Sequence, residues 1–383
     1  MSQAVPRKHP VLCVAGARPN FVKIAPIMRA LADSPRLAPV LVHTGQHYDD
    51  RLSRVFFDEL AIPRPDVSLE VGSGSHAEQT AEIMRRFEPV LERTQAHAVL
   101  VVGDVNSTLA CALVASKLVL AAPFDSALGR GRQRPLVVHV EAGLRSRDDD
   151  MPEEINRRLT DSLSDLLFVT EPSGLDNLAR EGVPAERVHL VGNVMIDTLL
   201  AARERAMQSD VLARLGLAEG GYGLVTLHRP SNVDDPEQLR ALLSVLDEVA
   251  RRVPLCFPVH PRTRARLAAA NIPLPDARWV VSEPVGYLDF LRLTASARLV
   301  LTDSGGVQEE TTILGVRCLT LRDNTERPVT IDEGTNILAG TRRETIWPAF
   351  ERAMAEPVPT RQPALWDGRA AARIADELAR VLP

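Results

Sequence analysis

The sequence predicts an α/β protein built of two doubly wound, Rossmann-like domains, and three observations carry that prediction. At 383 residues the chain exceeds what one hydrophobic core holds, so two domains of roughly 150–200 residues are expected. Strand-like apolar runs alternate with helical patterns from end to end, as in parallel sheets assembled from βαβ units. Each run ends in polar or glycine-rich residues, and open α/β sheets bind ligands outside the carboxyl ends of their strands. Two such domains facing each other would place a site in the cleft between them.

In the first half, Val11 to Ala15, Val40 to His43, Ala98 to Val102, Leu136 to Val140 and Leu166 to Val169 read as strands. Their ends carry Gly16-Ala17-Arg18-Pro19, Thr44-Gly45-Gln46-His47, Gly103-Asp104-Val105-Asn106 and Glu141-Ala142-Gly143. A further strand-like run, Val188 to Val191, precedes a Gly192-Asn193 turn, and the domains join between Val191 and Ala201. This divides the chain into residues 1–195, residues 196–362 and a tail, 363–383, whose Ala, Ile and Leu recur at helical spacing and cross back onto the first domain. In the second half, Leu224 to Thr226, Cys256 to Val259, Trp279 to Val281, Leu299 to Thr302 and Cys318 to Leu321 repeat the pattern. The stretch Ala121 to Arg134 mixes Gly with Arg, is longer than a usual connection, and reads as a mobile surface loop.

The most informative stretch is Leu299 to Pro328. The Gly305-Gly306 pair permits a tight turn after the strand, Asp303 and Ser304 are placed to cap the following helix, and its free N–H groups favour a nucleotide phosphate. Glu309 and Glu310, one to two turns in, suit ribose hydroxyls, and Arg327 can return toward the same anion. The same residues also fit an ordinary capped helix with a solvated glutamate pair.

Asp104, Glu141 and Glu153 are the acid–base candidates, because carboxylates from different loops can converge on one substrate carbon. Each alone also reads as a cap or a dipole partner. Arg18, Lys23 and Arg157 are cations able to bind a diphosphate, or else surface charge. His228 ends a strand with Arg229 and can donate to phosphate or make a structural bond. Phe290 and Tyr287 offer rings to a base, or belong to a core.

Other features exclude. A formal charge of -5 gives no basic field for nucleic acid. Cys13, Cys111, Cys256 and Cys318 are far apart in apolar runs and read as buried thiols of a reducing compartment. No signal peptide and no membrane-length apolar run is visible, so a cytoplasmic protein is expected. Gly45 interrupts any helix that would align His43 with His47, which argues against metal. The Asp148 to Asp150 run, with Arg145 and Arg147 nearby, reads as a solvated loop. Neither a first-strand GxGxxG nor a GxxxxGK[ST] loop occurs, so NAD and ATP are not implied.

Taken together, GARPNFVKIAPI, HTGQHYDD, GDVNSTLA, HVEAGLRS, MPEEINRRLTD, GNVMID, TLHRPSNVDD, EPVGYLDF, TDSGGVQEE and RDNTERPVT occur in one order from about Val11 to Gly340, and the chain resembles the non-hydrolysing UDP-N-acetylglucosamine 2-epimerases. The resemblance implies a glycosyltransferase-B-like fold with the active site in the interdomain cleft, a homodimer, no redox cofactor, and interconversion of UDP-GlcNAc and UDP-ManNAc. It implies inversion by elimination of UDP across C1–C2 to a 2-acetamidoglucal, then re-addition on the other face. By motif, Arg18, Lys23, Asp104, Glu141, Glu153, Arg157 and His228 match active-site positions. Phe290 matches a uracil-side contact, Ser304, Gly305 and Gly306 the diphosphate cradle, Glu310 a ribose ligand, and Arg327 a phosphate-side arginine. Gln46, Arg229 and His260 match parts of a second, activating site of some members, although Pro230-Ser231 stands where many have Arg-Glu. Val71 to Thr80 looks like the branch that includes epimerases of diacetamido-uronic acid nucleotide sugars. A retaining glycosyltransferase, a hydrolysing epimerase and a silent nucleotide-sugar sensor are the competing readings.

Overall fold

The structure is a computed structural model that describes residues 8–45, 59–60, 62–274, 278–359 and 361–382, with the side chain of Arg18 left aside. The chain divides into two compact units, Met1–Thr198 with Ala364–Pro383, and Leu199–Pro363.

The first unit runs β1 (His9–Ala15), α1 (Arg18–Asp33), β2 (Leu37–His43), β3 (Val67–Ser68), α2 (His76–Thr94), β4 (Ala98–Val102), α3 (Asn106–Lys117), β5 (Phe124–Ser126), β6 (Gly129–Arg132), β7 (Leu136–Ala142), α4 (Pro152–Leu163), β8 (Leu166–Val169), α5 (Pro172–Arg180) and β9 (Val188–Leu190). Helix α6 (Val194–Met207) carries the chain out of this unit. The seven-stranded sheet has the order β3-β2-β1-β4-β7-β8-β9, and the pairings along it are parallel. The order reverses between β1 and β4, so the loops after those two strands open a crevice at the switch point. Strands β4 and β7 are buried along their whole length, which explains why they read as unbroken apolar runs.

The second unit runs α7 (Val211–Arg214), β10 (Gly223–Thr226), α8 (Pro230–Val233), α9 (Pro236–Ala250), β11 (Leu255–Pro258), α10 (Pro261–Ala269), β12 (Trp279–Ser282), α11 (Tyr287–Ala295), β13 (Leu299–Thr302), α12 (Gly305–Leu314), β14 (Arg317–Thr320), α13 (Val329–Asp332), β15 (Asn336–Leu338) and α14 (Arg343–Ala355). Its sheet, β12-β11-β10-β13-β14-β15, is also parallel and reverses between β10 and β13. His228 follows β10 and Ser304 follows β13, so both stand at this second switch point.

The last helix, α15 (Ala370–Val381), belongs to the first unit and packs on α1. Asp197 caps it from a distance by accepting the N–H groups of Ala370 at 3.1 Å and Ala371 at 2.7 Å. Trp366 donates its indole N–H to the Thr170 carbonyl at 3.0 Å, and Arg36 reaches the Ala379 carbonyl at 3.1 Å.

Three expectations change. Ala121 to Arg134 holds a β-hairpin of β5 and β6 rather than an irregular loop. Gly131, with φ of 64°, lies in β6 at the register shift between the two strands, Asp125 accepts the Gly131 N–H, Arg132 pairs with Asp165 at 2.6 Å, and Phe124 stacks on His97. Arg145 is buried against Asp161 and Glu181, not solvated, whereas Asp149 and Asp150 are exposed as expected. Ser304 makes no side-chain bond to α12, and the Asp303 carboxylate instead accepts the N–H groups of His228 and Arg229. All four cysteines are free and buried. Among the described residues, no helix is long and apolar enough to cross a membrane.

Candidate active site

In the first unit the site is built on two strand ends. After β4 the chain turns at Gly103, whose φ of 67° suits glycine, and a β-carbon there would stand 3.0 Å from Lys23 Nζ and 3.6 Å from Glu141 Oε2. Lys23 comes from the first turns of α1 and pairs with Glu141, both side chains being 7% exposed. Asn20 fixes that helix start by accepting the N–H groups of Gly16 and Ala17 and donating to the Val102 carbonyl at 3.0 Å. Glu141 lies at a register shift of β7 against β8 and has φ of 74°, an outlier for a residue with a side chain. Bulges and positive φ values at non-glycine residues gather where a side chain must be re-aimed at a functional site.

Asp104, the next residue after Gly103, pairs with Arg157 Nη2 at 2.8 Å and offers its carbonyl to Asn156 at 2.9 Å. Arg157 is itself held by Glu154 at 2.5 Å. Burial raises the Glu154 carboxyl, but the N–H groups of Ser146 and Arg147 and the Arg157 charge together hold it below the usual range. Glu153 projects to solvent in the first turn of α4. The structure thus gathers Lys23, Asp104, Glu141 and Arg157 around one turn and leaves Glu153 exposed, one helical turn before Arg157.

In the second unit Asp303 is the anchor. Its buried carboxylate accepts the N–H groups of His228 at 3.0 Å and Arg229 at 2.9 Å, the Asn232 amide at 3.2 Å, and His228 Nδ1 at 2.9 Å. Burial opposes its ionisation, yet the His228 charge and these hydrogen bonds keep it below the usual range. His228 keeps 39% of its side chain exposed while Asp303 fixes the Nδ1 proton. Its ring centroid is 5.5 Å from that of His260, which is exposed and accepts the Arg262 N–H.

Helix α12 starts at Gly305, and the position of a Gly305 β-carbon is 2.5 Å from Arg327 Nη1, so only glycine lets the guanidinium lie across this helix start. Arg327 bonds Glu309 at 2.6 Å and Glu326 at 2.7 Å. Glu326 also pairs with Arg322 at 2.8 Å and Arg229 at 3.2 Å, so one buried carboxylate organises three arginines. Glu310 is fully buried; desolvation, then the charge of Glu309, pushes its pKa up to about 8 against the hydrogen bond with Tyr287. Phe290 is half-buried against the core of this unit, and Tyr287 is buried. Gln46 lies outside the described residues, as does His47.

Sequence reasoning passed over Asp303 as an anchor, Glu154 and Glu326. The available signal was acidic residues placed among arginines in apolar surroundings, where a buried charge requires a partner.

Two doubly wound units with polar residues gathered at both switch points define an enzyme of the glycosyltransferase-B-like class. Within that class the chain belongs to the UDP-N-acetylglucosamine 2-epimerase family, whose model matches residues 29–379, and it is therefore an isomerase. It is 41% identical over 346 residues to the UDP-N-acetylglucosamine 2-epimerase of Methanocaldococcus jannaschii, covering 88% of this chain and 90% of that one. It is 39% identical over 374 residues to the UDP-2,3-diacetamido-2,3-dideoxy-D-glucuronate 2-epimerase of Pseudomonas aeruginosa, covering 97% and 99%. The crystal structure of the M. jannaschii enzyme with UDP-GlcNAc and UDP superposes with a TM-score of 0.87 at 39% identity, covering 97% of this chain and 99% of that one.

Proposed function

We propose that this protein inverts C2 of a UDP-activated 2-acetamido sugar and interconverts UDP-GlcNAc with UDP-ManNAc. The observation that carries the reading is the convergence of Lys23, Asp104, Glu141 and Arg157 on the Gly103 turn, which supplies both a base and cations at one point. The C2 proton passes to a carboxylate, the C1–O bond breaks with its electron pair going to UDP, and C1=C2 forms. Re-addition of UDP at C1 with return of a proton to the opposite face of C2 restores the sugar, with no net oxidation. Leaving-group stabilisation falls to the N–H groups of Gly305 and Gly306, with Arg18 and Arg327 as cations and His228 as a hydrogen-bond donor. Ser304 belongs to the same cradle, Glu310 faces the ribose and Phe290 the uracil. The reading takes the enzyme to be a cytoplasmic homodimer.

A second substrate, a UDP-diacetamido-uronic acid, is favoured by the 39% identity to a relative named for that substrate. Incubation with each nucleotide sugar and NMR of the products tests both. The manno isomer of UDP-GlcNAc is expected without any acceptor. Free ManNAc with UDP would identify a hydrolysing enzyme, and turnover only of the uronic acid would move the substrate to the second reading.

A further inference from the structure

One buried charge cluster lies behind the proton-transfer groups without touching them. His139 stands on β7 two residues before Glu141 and is wholly inaccessible to solvent. Its Nδ1 is 2.6 Å from Asp161 Oδ1 and its Nε2 is 2.9 Å from the Gly103 carbonyl oxygen. A backbone carbonyl only accepts hydrogen bonds, so Nε2 carries a proton. Asp161 accepts the Gly143 N–H at 3.1 Å and Arg145 Nη2 at 2.7 Å through its other oxygen, the bonding of an ionised carboxylate. Burial opposes that ionisation, but the neighbouring His139 and Arg145 charges hold the carboxyl below its usual range. The ring is thus held at both edges by buried partners, and Arg145 ties Asp161 to Glu181.

The Gly103 carbonyl belongs to the turn from which Asp104 emerges, and the next carbonyl, that of Asp104, is held by Asn156 at 2.9 Å. Two successive carbonyls of this turn are thus clamped by side chains of different elements. We propose that His139 is a positioning residue, whose buried Nε2–H locks the Gly103 carbonyl and thereby sets the turn that brings Asp104 to Arg157 beside the Lys23 and Glu141 pair. Misplacing a reacting group by about 1 Å costs on the order of 10²-fold in rate even when the change is remote from the chemistry.

The kinetic arm of the test rests on the epimerase reading; the spectroscopic arm does not. In the wild-type protein with 15N-labelled histidine, the resonances that vanish in His139→Gln should show Nε2 protonated at neutral pH. An Nε2 without a proton overturns the proposal. His139→Gln and Asp161→Asn, if folded by circular dichroism, should lose about 10²-fold in kcat with KM for UDP-GlcNAc changed less than about twofold. Wild-type kcat in both folded variants also overturns it. Should the variants fail to fold, His139 is assigned by sequential NMR in the wild type and its ring state decides. Absence of wild-type turnover on either nucleotide sugar would instead sink the proposed function and leave the ring assignment standing.

Discussion

The guanidinium of Arg327 occupies the space that a side chain at position 305 would need, with Nη1 only 2.5 Å from the site of a Gly305 β-carbon. Gly305→Ala should displace Arg327 from Glu326 and from the start of α12. If Arg327 is a direct phosphate ligand, UDP affinity should fall by about 1.5–3 kcal/mol, and Arg327→Ala should do the same. Isothermal titration calorimetry with UDP decides; unchanged affinity in both variants would remove Arg327 from the site.

Glu310 makes stability depend on pH in a defined direction. The unfolded chain releases this proton near 4.5, whereas the folded chain keeps it to about 8. Over that window the unfolded state binds fewer protons, so this group's contribution to stability is greatest below 4.5, declines as pH rises, and levels off above about 8. Glu310→Gln should flatten the decline in denaturant midpoints measured from acid to mildly alkaline pH. If ribose hydroxyls donate to the carboxylate, UDP binding at neutral pH should release protons. Calorimetry in buffers of different ionisation enthalpy should detect that release in the wild type and not in Glu310→Gln.

Lys23 and Glu141 are buried together, so removing one takes an opposite charge from beside the other. Lys23→Met should cost about 3–5 kcal/mol in urea unfolding, and adding Glu141→Gln should recover part of that loss. Strictly additive losses in the double-mutant cycle would show that the pair is not coupled.

If UDP leaves before the proton returns, C2 passes through a planar carbon and the hydrogen restored there comes from solvent. Reaction in D2O should therefore deposit deuterium at C2. Glu153, exposed at the start of α4, should deliver a proton only with substrate bound. Glu153→Gln should lower kcat and let glycal and UDP escape before re-addition. Clean epimer at the wild-type rate in this variant would return Glu153 to the role of answering the helix dipole.

Ile155 and Leu159 lie one turn apart on α4 and are 49% and 48% exposed. Two large apolar side chains on one exposed helix face suit burial against a second copy of the chain. Light scattering after gel filtration should give a dimer mass for the wild type and a monomer mass for Ile155→Glu with Leu159→Glu. A monomeric wild type would remove the homodimer.

The strand cores were legible because a parallel sheet covered on both faces demands unbroken apolar runs, as in β4, β7, β13 and β14. Strand β3, with two residues, and β15, with three, carry too little apolar sequence to announce themselves. Gly103 and Gly305 were readable as turns, but the cations that crowd their β-carbon positions, Lys23 at 3.0 Å and Arg327 at 2.5 Å, come from residues about 80 and 20 positions away and have no local signature. Asp303 misled for a similar reason: an acidic residue before a helix fits a cap by local rules, while its partners His228, Arg229 and Asn232 lie in another βα loop. The hairpin at β5 and β6 was hidden because its register depends on Gly131 and on the Arg132 pairing with Asp165.

Because Asp197 caps α15, the first unit is assembled from two separated stretches of chain, with all of 199–363 between them. On the ribosome, residues 199–363 are synthesised before the segment that finishes the first unit. The face of α1 that meets α15 therefore stays uncovered throughout synthesis of the second unit and is covered only by α15, whose Ile374 and Leu378 are wholly buried in the finished unit. The amino-terminal unit is begun first and is the last to close.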